Sequence, residues 1–596
     1  MSEELKKDQE TVEAATPKTT TEYFSDFDRR DVLKAGVATS ALAAGATTMG
    51  SASAQPGLNL AGRTFGQSPI SRAIRAFRIR NNNALSQFRR FRAMTGNFQR
   101  AVNSGDESLY SDFRGSYSKS LLHNEFGEVD PTSFGTFLKA LNSRRPSDFE
   151  NIIVGDAGNP DRIGLVDPQA AYDFDQSAID SNGYRMPAAP TFASDETAAE
   201  MGELYWYALT RDIPFTNYDT SPLIQRASDD LNNFTRSDIF PNTGGTVTPQ
   251  SIFRGTFAGA EVGPFVSQVL LKPFMFGRAE VVQRYNRPTP GSVNDFMTDY
   301  DEWLAIQNGT NPSESTTFSG QNRFISSMRG LAEWVHVDFP IQSPLYAFLI
   351  FSAFGQDALD PNIPFGGPGA GGSPTEVGFT SWGGGGLPHL ILQASRIGLL
   401  GAWYQKWGVH RRLRPEVYAG RINNQLRGRR TYDINQEILD SECLSRIVAN
   451  AATADDVGLL PMAYPEGSPT HPAYPGGHST FVAAGATVCK AIFNEDFVIP
   501  DPVVANAQGT QLDPFVGPDL TIGGELNKLV GNVTHGRDGA GMHWRSDGRG
   551  NFIGENVAIT LLADYSRTYN TDFDGFQLTR FDGTPIRIVN GQVLAN

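Results

Sequence analysis

A chain of 596 residues with 39% hydrophobic residues, 61 glycines and 36 prolines has the apolar mass for a large core and the turn content of a loop-rich globular protein, which excludes a disordered or fibrous one. Its formal charge of -15 repels polyphosphates and anionic lipid, excluding nucleic acid and membrane surfaces as general partners. Two cysteines, Cys443 and Cys489, exclude a disulfide framework and leave either one bridge or two buried thiols.

In chain order, residues 1–28 are polar and acidic, and the stretch DRRDVLKAGVATSALAAGATTMGSASA follows. The twin Arg29-Arg30, a mildly apolar Ala/Gly run and the small-residue site ending at Ala54 read as a twin-arginine export signal over 1–54, which predicts a periplasmic or extracellular protein. The run is too short and too weakly apolar to span a bilayer, so no membrane anchor is expected. Residues 55–110 are rich in Arg, Asn and Phe (RAIRAFRIRNNNALSQFRRFRAM) and read as an N-terminal arm able to pack on a neighbouring subunit. The remainder, 111–596, reads as one helical domain. Apolar residues recur at three- and four-residue steps over 197–211, 322–336, 387–407, 478–493 and 549–567, which predicts helices there. The glycine-laden PFGGPGAGGSPTEVGFTSWGGGG at 364–386 is a long loop, and strand alternation is confined to places such as the C-terminal FDGTPIRIVNGQVL. The chain is therefore predicted to be mainly α.

Three clusters carry chemistry. In YQKWGVHRRLRPE (404–416), Lys406, Arg411, Arg412 and Arg414 reverse the local sign of an acidic chain, and Arg with Lys is the pairing that neutralises a compact oxyanion. Pro415 restricts Arg414 and marks the end of any helix there. In SPTHPAYPGGHST (468–480), Pro475-Gly476-Gly477 should bring bare amides to the start of a helix beginning near His478, an anion-binding arrangement. The prolines let His471 and His478 converge beside it as acid/base groups. In HGRDGAGMHWRSDGRG (535–550), Arg537 adds a fork, and Asp547 lies one helical turn beyond His543, placed to fix its ring. Five of the eight histidines fall between 406 and 547. Each cluster alone also fits a basic helix end, a rigid turn or a solvated surface; together they point to one anion site.

In order and spacing, the clusters resemble the signature of the vanadium-dependent haloperoxidases, within the type-2 phosphatidic-acid phosphatase superfamily. Lys406 and Arg414-Pro415 match its first element, Pro475, Gly477 and His478 its second, and Arg537, Gly541, His543 and Asp547 its third. His471 matches the extra histidine of the bromoperoxidase branch, and Trp403 falls at a variable pocket position. GELYWYALTRDIPF, FRGTFAGAEVGPFVSQ, EWLAIQNG and LAEWVHVD extend the likeness over about 100–590.

The resemblance implies an all-α protein of two four-helix bundles with the site at the end of one, a homo-oligomer, and bound vanadate. Lys406, Arg414, Arg537 and the Gly476-Gly477 backbone would hold that oxyanion, and His543 would be the vanadium ligand. His478 would be the acid/base, Asp547 would orient His543, and His471 would tune the halide pocket. Hydrogen peroxide, a halide (bromide or iodide) and a small organic acceptor would be the partners. An acid phosphatase with His543 as nucleophile is the rival reading, and a degenerate non-catalytic exported oligomer the third. Two departures stand out: Gly476 and Gly536 replace motif serines, and the first loss removes a hydroxyl donor to the anion. The structural calcium of the family is left unassigned, because the aspartates expected near 364–380 are missing.

Overall fold

The computed structural model describes residues 69–95, 102–180, 183–184, 186–364 and 375–595. Residues 1–54, expected from the sequence to be an export signal, and residues 365–374 of the glycine-rich loop lie outside them. Ile74–Asn596 cluster as one unit; of the preceding unit, Met1–Ala73, only Pro69–Ala73 is described, as the first turns of a helix.

The helices that frame the molecule are, in chain order, α1 (Pro69–Thr95), α2 (Asp195–Thr210), α3 (Pro222–Leu231), α4 (Met328–Trp334), α5 (Gln342–Ser352), α6 (Leu387–Trp403), α7 (Pro415–Leu426), α8 (Glu442–Asn450), α9 (Gly477–Ile492), α10 (Ile522–Gly539) and α11 (Gly550–Ser566). Strands are short and antiparallel; the largest sheet is the C-terminal three-stranded meander Phe576–Thr579, Pro585–Val589 and Gln592–Ala595. The mainly α architecture is as expected.

At the centre lies α9, apolar on all sides and buried from Ser479 to Ile492, which is the pattern of a helix enclosed by other helices. It packs against α5, α6, α10 and α11. Small residues set the spacing: a Cβ on Gly554 of α11 would fall 2.2 Å from the Thr480 carbonyl oxygen, and one on Gly485 would fall 2.3 Å from Pro344 Cβ of α5, so only glycine permits either approach. A second helical group forms where α2 packs on α3, α8 and α10, while α4 lies on α10. Side-chain caps start five of these helices: Ser194, Ser221, Ser327, Ser441 and Thr521 accept from Thr197 N, Ile224 N, Gly330 N, Leu444 N and Gly524 N, each satisfying an amide the helix cannot pair itself.

Three expectations change. The helix predicted over 322–336 begins only at Met328, because Ser327 caps it and Phe318–Arg323 instead pairs with Tyr285–Pro288. The helix predicted over 387–407 closes at Trp403 and widens into a π-helical turn, Tyr404–His410. Pro415 starts a helix rather than following one, filling the first position of α7, where a missing N–H goes unnoticed. Cys443 and Cys489 are both buried and free. No helix among the described residues is long and apolar enough to cross a membrane.

Candidate active site

The wide turn after α6 is the first device. Arg411 N donates to Lys406 O (3.0 Å), a five-residue closure that inserts one residue more than an α-helix would. Trp407 thereby enters a separate apolar cluster with Tyr117 and Phe137 (ring centroids 5.7 and 5.9 Å). Lys406, one residue earlier, is 0% exposed and donates from Nζ to Pro472 O (2.7 Å) and Ala473 O (2.8 Å). The same two carbonyls belong to the proline-rich loop that carries His471, so Lys406 ties that loop to α6.

Arg414, the residue before α7, is also 0% exposed. Its Nε donates to His471 O (2.9 Å), one terminal nitrogen donates to Met542 O (2.8 Å) and His543 Nε2 (3.0 Å), and the other donates to His471 Nδ1 (3.0 Å). A guanidinium only donates. Both imidazole nitrogens it reaches are therefore lone-pair acceptors, and the 3.1 Å approach of His471 Nδ1 to Pro472 O is a contact without a proton. His543 Nδ1–H in turn donates to Asp547 Oδ2 (2.7 Å). The carboxylate thus fixes the tautomer that leaves Nε2 basic.

Arg537, in the last turn of α10, donates to Val335 O (2.8 Å) and lies 5.7 Å from the centre of the Tyr464 ring; its Nε is buried without an acceptor. His478 Nε2–H donates to Asp338 Oδ1 (2.8 Å), leaving Nδ1 as the basic nitrogen of that ring. Trp403 closes the cup from α6, its ring 4.9 Å from that of His471. A Cβ on Gly477 would meet Trp403 at 3.3 Å, so the bare α-carbon lets the indole approach.

The glycine loop departs from the expectation that both amides are free. Gly476 is the N-cap of α9, but its N–H donates to Asp547 O (2.8 Å). Only the amides from Gly477 onward, in the first turn of α9, lack an intrahelical acceptor. The absence of serine has a local account at each position. At 476 a Cβ would lie 2.9 Å from Ser479 Oγ, which donates to Gly476 O (2.9 Å) and Asp547 O (3.1 Å). At 536 it would lie 3.1 Å from both Leu331 and Val335, where α10 and the end of α4 press together.

Charge defines what the cup can hold. Among the described residues, Lys406, Arg414 and Arg537 form no ion pair with a carboxylate, whereas buried Lys119, Arg412, Lys528 and Arg545 each have one. Burial, reinforced by Arg414, drives the Lys406 ammonium well below its ordinary range, with Asp547 opposing. Burial lowers Arg414 to about 10 against the pull of Asp547. Burial with Arg414 and Lys406 nearby pushes His543 well down, and burial with Lys406 and Arg414 does the same to His471. His478 is lowered by burial and by Arg537, with Asp338 resisting. Burial raises Asp547, against the pull of Arg412 and Lys406. These shifts describe an excess of positive charge in a low-dielectric site, which an oxyanion would relieve.

The structure therefore brings together Lys406, Arg414, His471, Gly477, His478, Arg537, His543 and Asp547, with Trp403 at the wall. It divides the basic cluster of 404–416: Arg411 pairs with Glu107 (2.7 Å) away from the cup, and Arg412 turns to Glu200 (2.8 Å), Ser546 Oγ (2.7 Å) and Asp547 Oδ1 (3.4 Å). His543 and Asp547 do not sit on one α-helix; Asp547 lies in a 3-10 turn, Arg545–Arg549, capped from Trp544. Sequence reasoning missed Asp338, Glu200 and Val335. Asp338 stands in the LAEWVHVD stretch, but only the fold places it on His478, 140 residues away.

Residues 447–571, which include α9 to α11, match the VCPO second helical-bundle domain. The chain is 35% identical over 510 residues to a vanadium-dependent bromoperoxidase of Ascophyllum nodosum, covering 82% of this chain and 88% of that one. It is 32% identical to vanadium-dependent bromoperoxidases of Corallina pilulifera and Corallina officinalis, covering 81% and 82% of this chain and 94% of each relative. Among solved structures, the homohexameric second vanadate-dependent bromoperoxidase of Ascophyllum nodosum superposes with a TM-score of 0.81 at 29% identity, over 92% of this chain and 97% of that one.

Proposed function

This chain belongs to the vanadium-dependent bromoperoxidase family, and on that premise we propose that it is a vanadate enzyme that oxidises bromide, or iodide, with hydrogen peroxide to hypohalous acid, which halogenates small organic acceptors. The observation that carries the reading is the trio Lys406, Arg414 and Arg537, buried, close enough to depress one another's neighbours and without a carboxylate, around a His543 whose Nε2 is kept unprotonated by Asp547.

The residues fit vanadate on their own chemistry. Three cations and the Gly477 amide offer donors to a multiply charged oxyanion, and the acceptor-less Nε of Arg537 is one donor such an anion would satisfy. His543 would be the metal ligand through Nε2, once the Arg414 N–H that now faces that lone pair turns to an oxyanion oxygen. When bound, vanadate supplies Lewis acidity that makes a peroxide oxygen electrophilic toward halide.

What the protein does around it follows from the hydrogen bonds. His478 Nδ1 accepts the proton of incoming peroxide, and Asp338 balances the resulting imidazolium through Nε2–H. Lys406 and Arg537 then face developing negative charge with no reorganisation, because carbonyls already hold them in place. His471, its Nδ1 tied to Arg414 and its ring against Trp403, leaves Nε2–H as a donor for a halide.

An exported protein fits the twin-arginine segment, and a homo-oligomer fits both the homohexameric relative and the outward face of α1, where Phe77 and Phe88 are more than half exposed on an Arg-rich helix. The test is to purify the chain free of vanadate and measure bromide-dependent bromination by peroxide before and after adding orthovanadate, with phosphomonoester hydrolysis in parallel. Bromination only after vanadate is expected. Hydrolysis without any vanadate-dependent bromination would replace this reading by the phosphatase one.

A further inference from the structure

The three cations of the cup are not equally fastened. Lys406 donates to two carbonyls of one loop, and Arg414 makes four hydrogen bonds. Among the described residues Arg537 makes one, from a terminal nitrogen to Val335 O (2.8 Å), and its Nε is buried with no partner. Its other support is the ring of Tyr464, with the centroid 5.7 Å from the guanidinium. A long side chain held by so little has to be ordered by its surroundings; otherwise the cost of freezing its rotamers is subtracted from the affinity for the anion.

Both supports lead to His336. It follows Val335 in the chain, just past the end of α4, and its backbone N–H donates to Glu333 O (3.2 Å). Its imidazole stacks on Tyr464 with ring centroids 3.6 Å apart and planes 7° from parallel. Nε2–H donates to Glu466 Oε1 (2.6 Å), and Nδ1 lies 3.8 Å from Glu333 Oε2. The outer end of this clip is itself anchored, because buried Lys119 donates to Glu466 O (2.7 Å) and to Glu416 Oε1 (2.8 Å). The Tyr464 hydroxyl donates to Ala332 O, back on α4. Tyr464 therefore cannot tilt away from Arg537 without giving up the His336 stack, and the Val335 carbonyl cannot turn without moving His336. None of the hydrogen bonds or ion pairs of His336 reaches a side chain of the cup. Building on the oxyanion cup of the proposed function, we propose that His336 is a positioning residue for Arg537: by stacking on Tyr464 and pinning the end of α4, it keeps the guanidinium aimed into the cup before the anion arrives. The flat ring is the part that bears on Tyr464, whereas the two carboxylates hold the ring and contribute to stability.

The experiment is a double-mutant cycle on the full chain, free of vanadate, titrated calorimetrically with orthovanadate and separately with phosphate. Its corners are the wild type, His336→Ala, Arg537→Ala and the double variant. His336→Ala should weaken both anions about tenfold, the scale of ordering one arginine side chain. Arg537→Ala should weaken them by about one to two decades. In that background His336→Ala should cause no further loss, because the side chain it positions is gone. A merely structural role would instead weaken binding equally in both backgrounds. His336→Phe keeps a flat ring on Tyr464 without the pairing to Glu466, and should bind within about twofold of the wild type. An additive cycle, wild-type affinity in His336→Ala, or His336→Phe as weak as His336→Ala would each overturn the assignment while leaving the cup intact. A wild type that binds neither anion would overturn the cup itself, and this role with it.

Discussion

Position 476 offers a quantitative test of the anion cup. Gly476 has φ -65° and ψ 131°, ordinary extended values for any residue, so Gly476→Ser carries no backbone strain, and serine is the better N-cap by a few tenths of a kcal/mol. The obstacle is steric. The new Cβ would come within 2.9 Å of Ser479 Oγ, so the Ser479 hydroxyl must rotate away and leave Gly476 O and Asp547 O. That hydroxyl is the end of a short side chain, and its displacement gives up two neutral hydrogen bonds worth about 1 kcal/mol each. A serine hydroxyl facing the oxyanion would gain a charge-assisted hydrogen bond of about 1.5–3 kcal/mol. That loss is incurred with or without the anion, so it should lower the folding stability of the single variant by about 2 kcal/mol without offsetting the gain in affinity. The double variant Gly476→Ser/Ser479→Ala relieves the clash and should bind orthovanadate about one to two decades more tightly. Isothermal titration of vanadate-free protein with orthovanadate, and separately with phosphate, measures both. A double variant that folds normally and binds neither anion more tightly would mean that position 476 does not face the anion, and the placement of the cup at the start of α9 would be wrong.

Asp547→Asn should weaken orthovanadate binding by about 10- to 100-fold, the usual consequence of removing the partner that fixes a ligating histidine, read by the same titration. Asp338→Asn removes the carboxylate that resists the lowering of His478; the His478 pKa falls further, so the acid limb of the bromination rate should move to lower pH, with a reduced maximum, in a pH–rate profile. His336 predicts a pH-dependent stability: burial opposes its charge, but hydrogen bonds to Glu333 and Glu466 outweigh burial and raise it to about 9. Because the folded value lies above the unfolded one near 6.5, that stabilisation is complete below about pH 6.5 and is lost as pH rises through about 9. At most about 3 kcal/mol of unfolding free energy should vanish over that window, and denaturant titrations of His336→Gln should show a smaller difference between its two ends.

What could be read from the chain by itself is whatever depends on local rules. Period-3.6 apolar patterns marked α2, α6, α9 and α11, and unusual residue types at fixed spacings marked Lys406, Arg414, His478, Arg537 and His543 as one anion site. The helices and the glycine-rich turn need only nearest neighbours in sequence, because helix formation and backbone approach by glycine are local; joining three clusters spread over more than a hundred residues into one site came from their likeness to the family signature. The helix predicted over 322–336 failed because Phe318–Arg323 found a strand partner some 30 residues upstream, a non-local pairing that outweighs local propensity.

Which cation serves which purpose was decided only by the tertiary structure. Arg411, Arg412 and Arg414 are chemically identical, yet one pairs with Glu107, one with Glu200 and Asp547, and one is left for the anion. The partners lie about 130 to 300 residues away in sequence, and whether a buried charge is neutralised or left unpaired depends on what the fold carries to within a few ångströms of it. The same holds for Asp338 behind His478 and for Asp547 O at the Gly476 amide. Composition and spacing determined that an oxyanion site exists; the packing of α6, α9 and α10 with the loops between them determined its charge, its tautomers and its neighbours, because electrostatic energy in a buried site depends on separation in space and not on separation along the chain.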